Sequence, residues 1–159
     1  MTCGTYMAQH VLEALCVAGR VDDALALMTS PDERGWLAMM SKGATITMEF
    51  WDLTLKEKWR VPDMNHAWST APLNVVARYV LGVTPLEPGF AKISIRPQLG
   101  SLPLVKAKVP TAVGTISLCI RNARSTYDVE LDSPAPVRFE AFGSVREFPV
   151  GHHQFNVAQ

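Results

Sequence analysis

This chain lacks long apolar runs, runs of like charge and paired cysteines. No uninterrupted apolar stretch reaches the roughly 18 residues that a membrane helix needs. Met1 to Gly4 contains no basic segment leading into an apolar one, so no signal peptide is read there. Fifteen basic residues balance fifteen acidic ones, giving a formal net charge of zero. Without a basic stripe, no electrostatic partnership with nucleic acid or an anionic membrane is expected. The three cysteines, Cys3, Cys16 and Cys119, are odd in number and show no CxxC or ligand spacing, so they are read as reduced buried thiols. His152 and His153 are adjacent, and neighbours on a strand point to opposite faces. Nothing completes a metal site around them, and no metal or cofactor is expected. Internal repeats are also missing, which argues against a helical solenoid.

The chain does have enough apolar material for a core: 159 residues, 48% of them hydrophobic, suit one domain or two small ones. Thr5 to Ala18 reads as a helix with Met7, Val11, Ala14, Leu15 and Ala18 as its apolar stripe, stopped by Gly19. Val21 to Met28 reads as a second helix, with Asp22 and Asp23 in the dipole-favoured first turn and Val21, Ala24, Leu25 and Met28 inward. The short Gly19-Arg20 link makes the pair an antiparallel αα-hairpin. Gly35 to Ser41 predicts a short helix. Glu49 to Pro62 mixes aromatics with charges, shows no period and reads as a long ordered loop. The helical period returns from Ala67 to Leu81, with Trp68, Ala71, Val75, Val76 and Tyr79 on one side. Pro72 makes that helix start near Thr70 or bend there.

Thr84 to Gly89 is rich in chain breakers and marks the expected boundary, with residues 1–86 helical and residues 87–159 a second domain. Beyond it the period switches to two. Ile93 and Ile95, Val105 to Val109, Thr115 to Arg121, Tyr127 to Leu131, Val137 to Phe142, Val145 to Phe148 and Gln154 to Val157 are the strands. Turn residues separate them. Short alternating strands with regular turns predict an antiparallel β-sandwich, so the fold class is α+β.

The chemistry is concentrated between Gly43 and Trp68. Gly43-Ala44-Thr45-Ile46-Thr47-Met48-Glu49-Phe50-Trp51-Asp52 sets two carboxylates among large apolar residues, and Asn65-His66-Ala67-Trp68 follows. Tryptophan faces pack on the C–H face of a pyranose, while histidine and carboxylates hydrogen-bond its hydroxyls. A carboxylate also activates water against the anomeric carbon. Glu49 and Asp52 are the candidate carboxylates of such a site, and His66, Trp51 and Trp68 its candidate sugar contacts. Trp36 is assigned to the core, Trp59 to the loop surface and Asp52 to a structural role. On a helix Glu49 and Asp52 would lie about 5–6 Å apart at Cβ, near the spacing of a retaining glycosidase pair. The β-branched Thr45, Ile46 and Thr47 argue against a helix there. A base ionised at neutral pH needs donors nearby, which Thr45, Thr47 and His66 are placed to supply.

The same residues, followed by Leu81-Gly82-Val83-Thr84-Pro85 and by Gly89-Phe90 leading into Ile93-Ser94-Ile95-Arg96-Pro97, resemble the C-terminal part of bacterial α-L-rhamnosidases. The resemblance covers nearly the whole chain and is strongest from about Gly35 to Pro97. It implies that residues 1–86 are the last helices of an (α/α)6 catalytic barrel and that residues 87–159 are the β-sandwich after it. It further implies an inverting hydrolase of terminal α-L-rhamnose in which Glu49 is the general base and His66 contacts the sugar. The family's general acid lies in an upstream motif that these residues do not contain, and a complete barrel needs more helices than the few read here. A truncated, inactive enzyme segment is therefore expected, with a rhamnose-containing carbohydrate as ligand. Its unpaired barrel helices are expected to self-associate. A non-catalytic carbohydrate-binding or structural fragment is the alternative, and an interaction module built on the αα-hairpin is a third.

Overall fold

The computed structural model describes residues 1–51 and 65–159. Most of the expected loop Glu49–Pro62, with Asp52 and Trp59, lies outside the described residues. The chain forms two compact units, Met1–Val75 and Val76–Gln159. Among the described residues no helix is long and apolar enough to cross a membrane.

The first unit holds α1 (Thr5–Val17), α2 (Val21–Met28), α3 (Trp36–Ser41), a 3₁₀ turn (Ala67–Ser69) and α4 (Ala71–Val75). Gly19, at φ 74°, turns the chain between α1 and α2, and the Arg20 N–H closes that turn on the Leu15 carbonyl. The stripe that α1 buries is Thr5, Ala8, Leu12 and Cys16. This corrects the sequence reading: Met7 is 49% exposed, and Ala14 and Ala18 face solvent. The helix carries two candidate stripes about one residue apart, and the inward one is set by packing on α2, α4 and the 3₁₀ turn. Residues 44–51 are irregular, as the β-branched run predicts. The expected helix Ala67–Leu81 is broken into the 3₁₀ turn, α4 and a π-helical turn at Val76–Val80, which opens the second unit. Pro72, with no N–H to donate, sits in the first turn of α4, where none is needed.

The second unit is a β-sandwich of two four-stranded sheets. One has the order β1 (Val83–Pro85), β2 (Ile93–Ile95), β6 (Val137–Ala141), β7 (Ser144–Phe148). The other has the order β3 (Leu104–Thr111), β4 (Gly114–Asn122), β5 (Thr126–Ser133), β8 (Gly151–Ala158). Pairing is antiparallel except between β2 and β6, which run parallel with Ile93 opposite Val137. The sheets meet through Phe139 of β6, whose ring stands edge-on to Phe155 of β8 at 5.1 Å. Ile93, Ile95, Ile116, Ile120 and Leu131 are fully buried around them, each contributing about 1.5–3 kcal/mol by leaving water. Strand β1 runs into the start of the breaker cluster and was not expected from its sequence; it exists because Val83 to Pro85 pair with Ile95 to Ile93.

Candidate functional site

The candidate site is built from three short segments of the first unit: residues 3–6 at the start of α1, residues 47–51, and residues 65–69. Backbone groups of the irregular 44–51 stretch have no ladder to join, so side chains and neighbouring loops must satisfy them. His66 N–H donates to the Thr47 carbonyl at 2.8 Å, and the Thr47 hydroxyl donates to the His66 carbonyl at 3.0 Å. The Ser69 hydroxyl donates to the Met48 carbonyl at 2.6 Å. From the other side, the Thr5 hydroxyl donates to the carbonyl of Glu49, and Trp51 Nε1–H donates to the Cys3 carbonyl at 2.8 Å. The backbone on either side of Glu49 is thus held by α1 and by the 65–69 segment together.

Glu49 is buried, only 7% exposed, between the wholly buried Met48 and the intermediate Phe50. The Thr47 hydroxyl, expected beside the carboxylate, is instead engaged by the His66 carbonyl. Trp51 is 3% exposed, and its ring meets Trp36 edge-on at 4.9 Å. Trp36 in turn donates its indole N–H to the Ser69 carbonyl at 2.7 Å. Trp68 behaves differently. The apolar side expected for it is not buried: Trp68 is 39% exposed, with the His66 ring lying 4.0 Å from its own at 41°. One tryptophan of the candidate pair is therefore locked in packing and the other is open to a ligand. Phe50 and Trp51 also border a cleft of about 280 Å³ with Thr5, Arg34 and Lys42 on its walls. Among the described residues, no group of three His, Cys, Asp or Glu side chains is placed to hold a metal ion.

Thr5 and Ser69 were not legible as site residues. Each is a small hydroxyl in an apolar setting, and its partner is a main-chain carbonyl far away in sequence. Only the fold brings that carbonyl within reach.

Hairpin helices followed by a β-sandwich are the architecture of a six-hairpin glycosidase segment with its C-terminal domain. Residues 1–80 match the family model of the bacterial alpha-L-rhamnosidase 6 hairpin glycosidase domain, and residues 82–141 match that of the bacterial alpha-L-rhamnosidase C-terminal domain. The chain belongs to the bacterial α-L-rhamnosidase family. It is 29% identical over 142 residues to an alpha-L-rhamnosidase of Alteromonas sp. (strain LOR), an alignment covering 86% of this chain and 15% of that protein. Solved structures share the fold. The alpha-L-rhamnosidase of Dictyoglumus thermophilum superposes with a TM-score of 0.83 at 16% identity, over 100% of this chain and 21% of that one. That of Streptomyces avermitilis, complexed with L-rhamnose, gives 0.78 at 18% identity, over 94% of this chain and 17% of that one. That of Aspergillus terreus gives 0.81 at 19% identity, over 94% and 19%. The chain thus spans about a fifth or less of the length of these relatives.

Proposed function

We infer that the first unit carries the base side of an α-L-rhamnoside-hydrolysing site, with Glu49 as general base and His66, Trp68 and Trp51 as contacts to a rhamnose-containing glycoside. The observation that supports this most is the double hydrogen bond between Thr47 and His66, which holds the buried Glu49 segment against the His66–Trp68 pair. In this reading Glu49 takes a proton from a water as the water oxygen bonds to the anomeric carbon. The glycosidic bond breaks with its electron pair on the leaving oxygen, which receives a proton from an acid on the opposite face. Inversion needs the two carboxyl groups roughly 6.5–9.5 Å apart, with the water between them. None of the residues given a role here is that acid, so this chain alone is expected not to turn over ordinary rhamnosides.

A substrate whose leaving group needs no acid tests the assignment. The chain is expected to release dinitrophenolate slowly from 2,4-dinitrophenyl α-L-rhamnopyranoside, with the β-anomer of rhamnose appearing first in the proton NMR spectrum. Glu49→Gln should abolish the release. Appearance of the α-anomer first, or an undiminished rate in Glu49→Gln, would refute the role of Glu49.

A second reading, a non-catalytic carbohydrate-binding or structural fragment, is favoured by the lack of an assigned acid, and an interaction module by the apolar side chains that the helices leave in solvent. Val17 and Leu73 are each 76% exposed and Met40 is 65% exposed. Large apolar side chains left in solvent promote association where they form a patch. Rhamnose binding with no release of dinitrophenolate would select the fragment, and self-association in sedimentation the interaction module.

A further inference from the structure

Besides Trp68 and His66, a third aromatic ring stands at the open edge of the candidate site, and neither its sequence position nor the family comparison singles it out. Tyr6, in the first turn of α1, is 55% exposed. Its ring centroid lies 5.5 Å from that of Trp68, with the planes inclined at 54°. His66, less exposed than Trp68, lies 4.0 Å from it, so Trp68 joins the rings of Tyr6 and His66. Tyr6 is not among the residues that α1 buries, which are Thr5, Ala8, Leu12 and Cys16; along the helix its ring meets only the edge of His10, at 5.9 Å. Tyr6 is also tied to the candidate base through its neighbour: Thr5 is the residue whose hydroxyl holds the Glu49 carbonyl.

We propose that Tyr6 is a sugar-contacting, specificity-determining residue that forms, with Trp68, an inclined pair of ring faces receiving the apolar side of a 6-deoxyhexopyranose. This rests on the reading of Glu49 and His66 as a sugar site and extends it to the choice of sugar. Tyrosine and tryptophan offer a large apolar face with a polar tip. The C–H groups of a pyranose fill the angle between the two rings, and a methyl at C6 continues that apolar surface. A hydroxymethyl at C6 would bring a hydroxyl against ring carbon, where it loses water and gains no partner.

Titration of the full chain with methyl α-L-rhamnopyranoside and methyl α-L-mannopyranoside, which differ only in the C6 hydroxyl, tests the proposal. The wild-type chain should bind the rhamnoside more tightly and show nuclear Overhauser contacts from the Tyr6 ring to the sugar C–H groups. Tyr6→Ala should weaken the rhamnoside about 2- to 10-fold, the value of one aromatic contact, and narrow the preference over the mannoside. Tyr6→Phe should keep both. Because Tyr6 is exposed, its substitution leaves the fold unchanged, which far-UV circular dichroism checks. If the rhamnoside binds and shifts the Trp68 and His66 resonances while Tyr6→Ala binds it equally well, Tyr6 has no such role and the sugar site stands. If the wild-type chain binds neither glycoside at millimolar concentration, the sugar site itself fails and this proposal with it.

Discussion

Thr47 and His66, nineteen residues apart, hold each other through two hydrogen bonds: the His66 amide donates to the Thr47 carbonyl and the Thr47 hydroxyl donates to the His66 carbonyl. The pair turns an irregular stretch into a fixed one without forming a strand. Thr47→Val keeps the shape and deletes one bond, so a loss of about 1 kcal/mol is expected. Thr47→Ser should recover most of it. Tryptophan fluorescence reports on this unit selectively, since Trp36, Trp51, Trp59 and Trp68 all precede Val75. Denaturant melts followed by that signal should show the valine variant unfolding earlier and the serine variant close to wild type.

Ser69 should be more sensitive. It is fully buried, its hydroxyl satisfies the Met48 carbonyl, and its own carbonyl accepts from Trp36. Ser69→Ala leaves the Met48 carbonyl without that donor in a dry setting, at a cost of about 1–3 kcal/mol. The same fluorescence melt measures it. A loss below that of Thr47→Val would show that another group takes over the carbonyl.

Gly82 tests the second unit. Its φ is 70°, and a Cβ there would lie 2.0 Å from the main-chain oxygen of Arg96. The Arg96 amide, in turn, donates to the Gly82 carbonyl at 3.0 Å. Gly82→Ala must therefore part the two chains where β1 meets β2, at a cost of at least about 2 kcal/mol. Hydrogen exchange at the Arg96 amide should accelerate sharply, while amides of β5 and β8 change far less.

Cys16 gives the pH dependence. Burial pushes its thiol above the ordinary 9.0, and the charge of nearby Glu13 acts in the same direction. The folded state therefore holds this proton more tightly than the unfolded state. Its contribution to stability is complete below pH 9 and is lost as pH rises through the higher folded value. Cys16→Ala should flatten the decline in stability above pH 9 relative to wild type. At pH 8 a thiol reagent should modify Cys3 and Cys119, both partly accessible, well before Cys16.

Much of the sandwich was legible because alternation is a local property. In β5 every second residue from Tyr127 to Ser133 is buried, and that period can be read without knowing the partner strand. The turn at Gly19 and the second helix were legible for the same reason. The inward stripe of α1 was not, because either of two apolar stripes can face a core and the neighbours choose between them. Strand β1 and the parallel pairing of β2 with β6 depend on residues far along the chain, Val137 opposite Ile93 among them.

The candidate site divides in the same way. Residue types offered Glu49, His66, Trp51 and Trp68 as an inventory suited to a sugar, and the family resemblance gave Glu49 and His66 their expected roles. Tertiary structure decided which indole is packed and which is open, tied Thr47 to His66, and set Tyr6 beside Trp68. Side-chain type is a property of the chain, and exposure and partnership are properties of what folds against it. The sequence therefore determined the fold class, the strand pattern and the chemical inventory, whereas the geometry that joins that inventory exists only once distant segments share their hydrogen bonds.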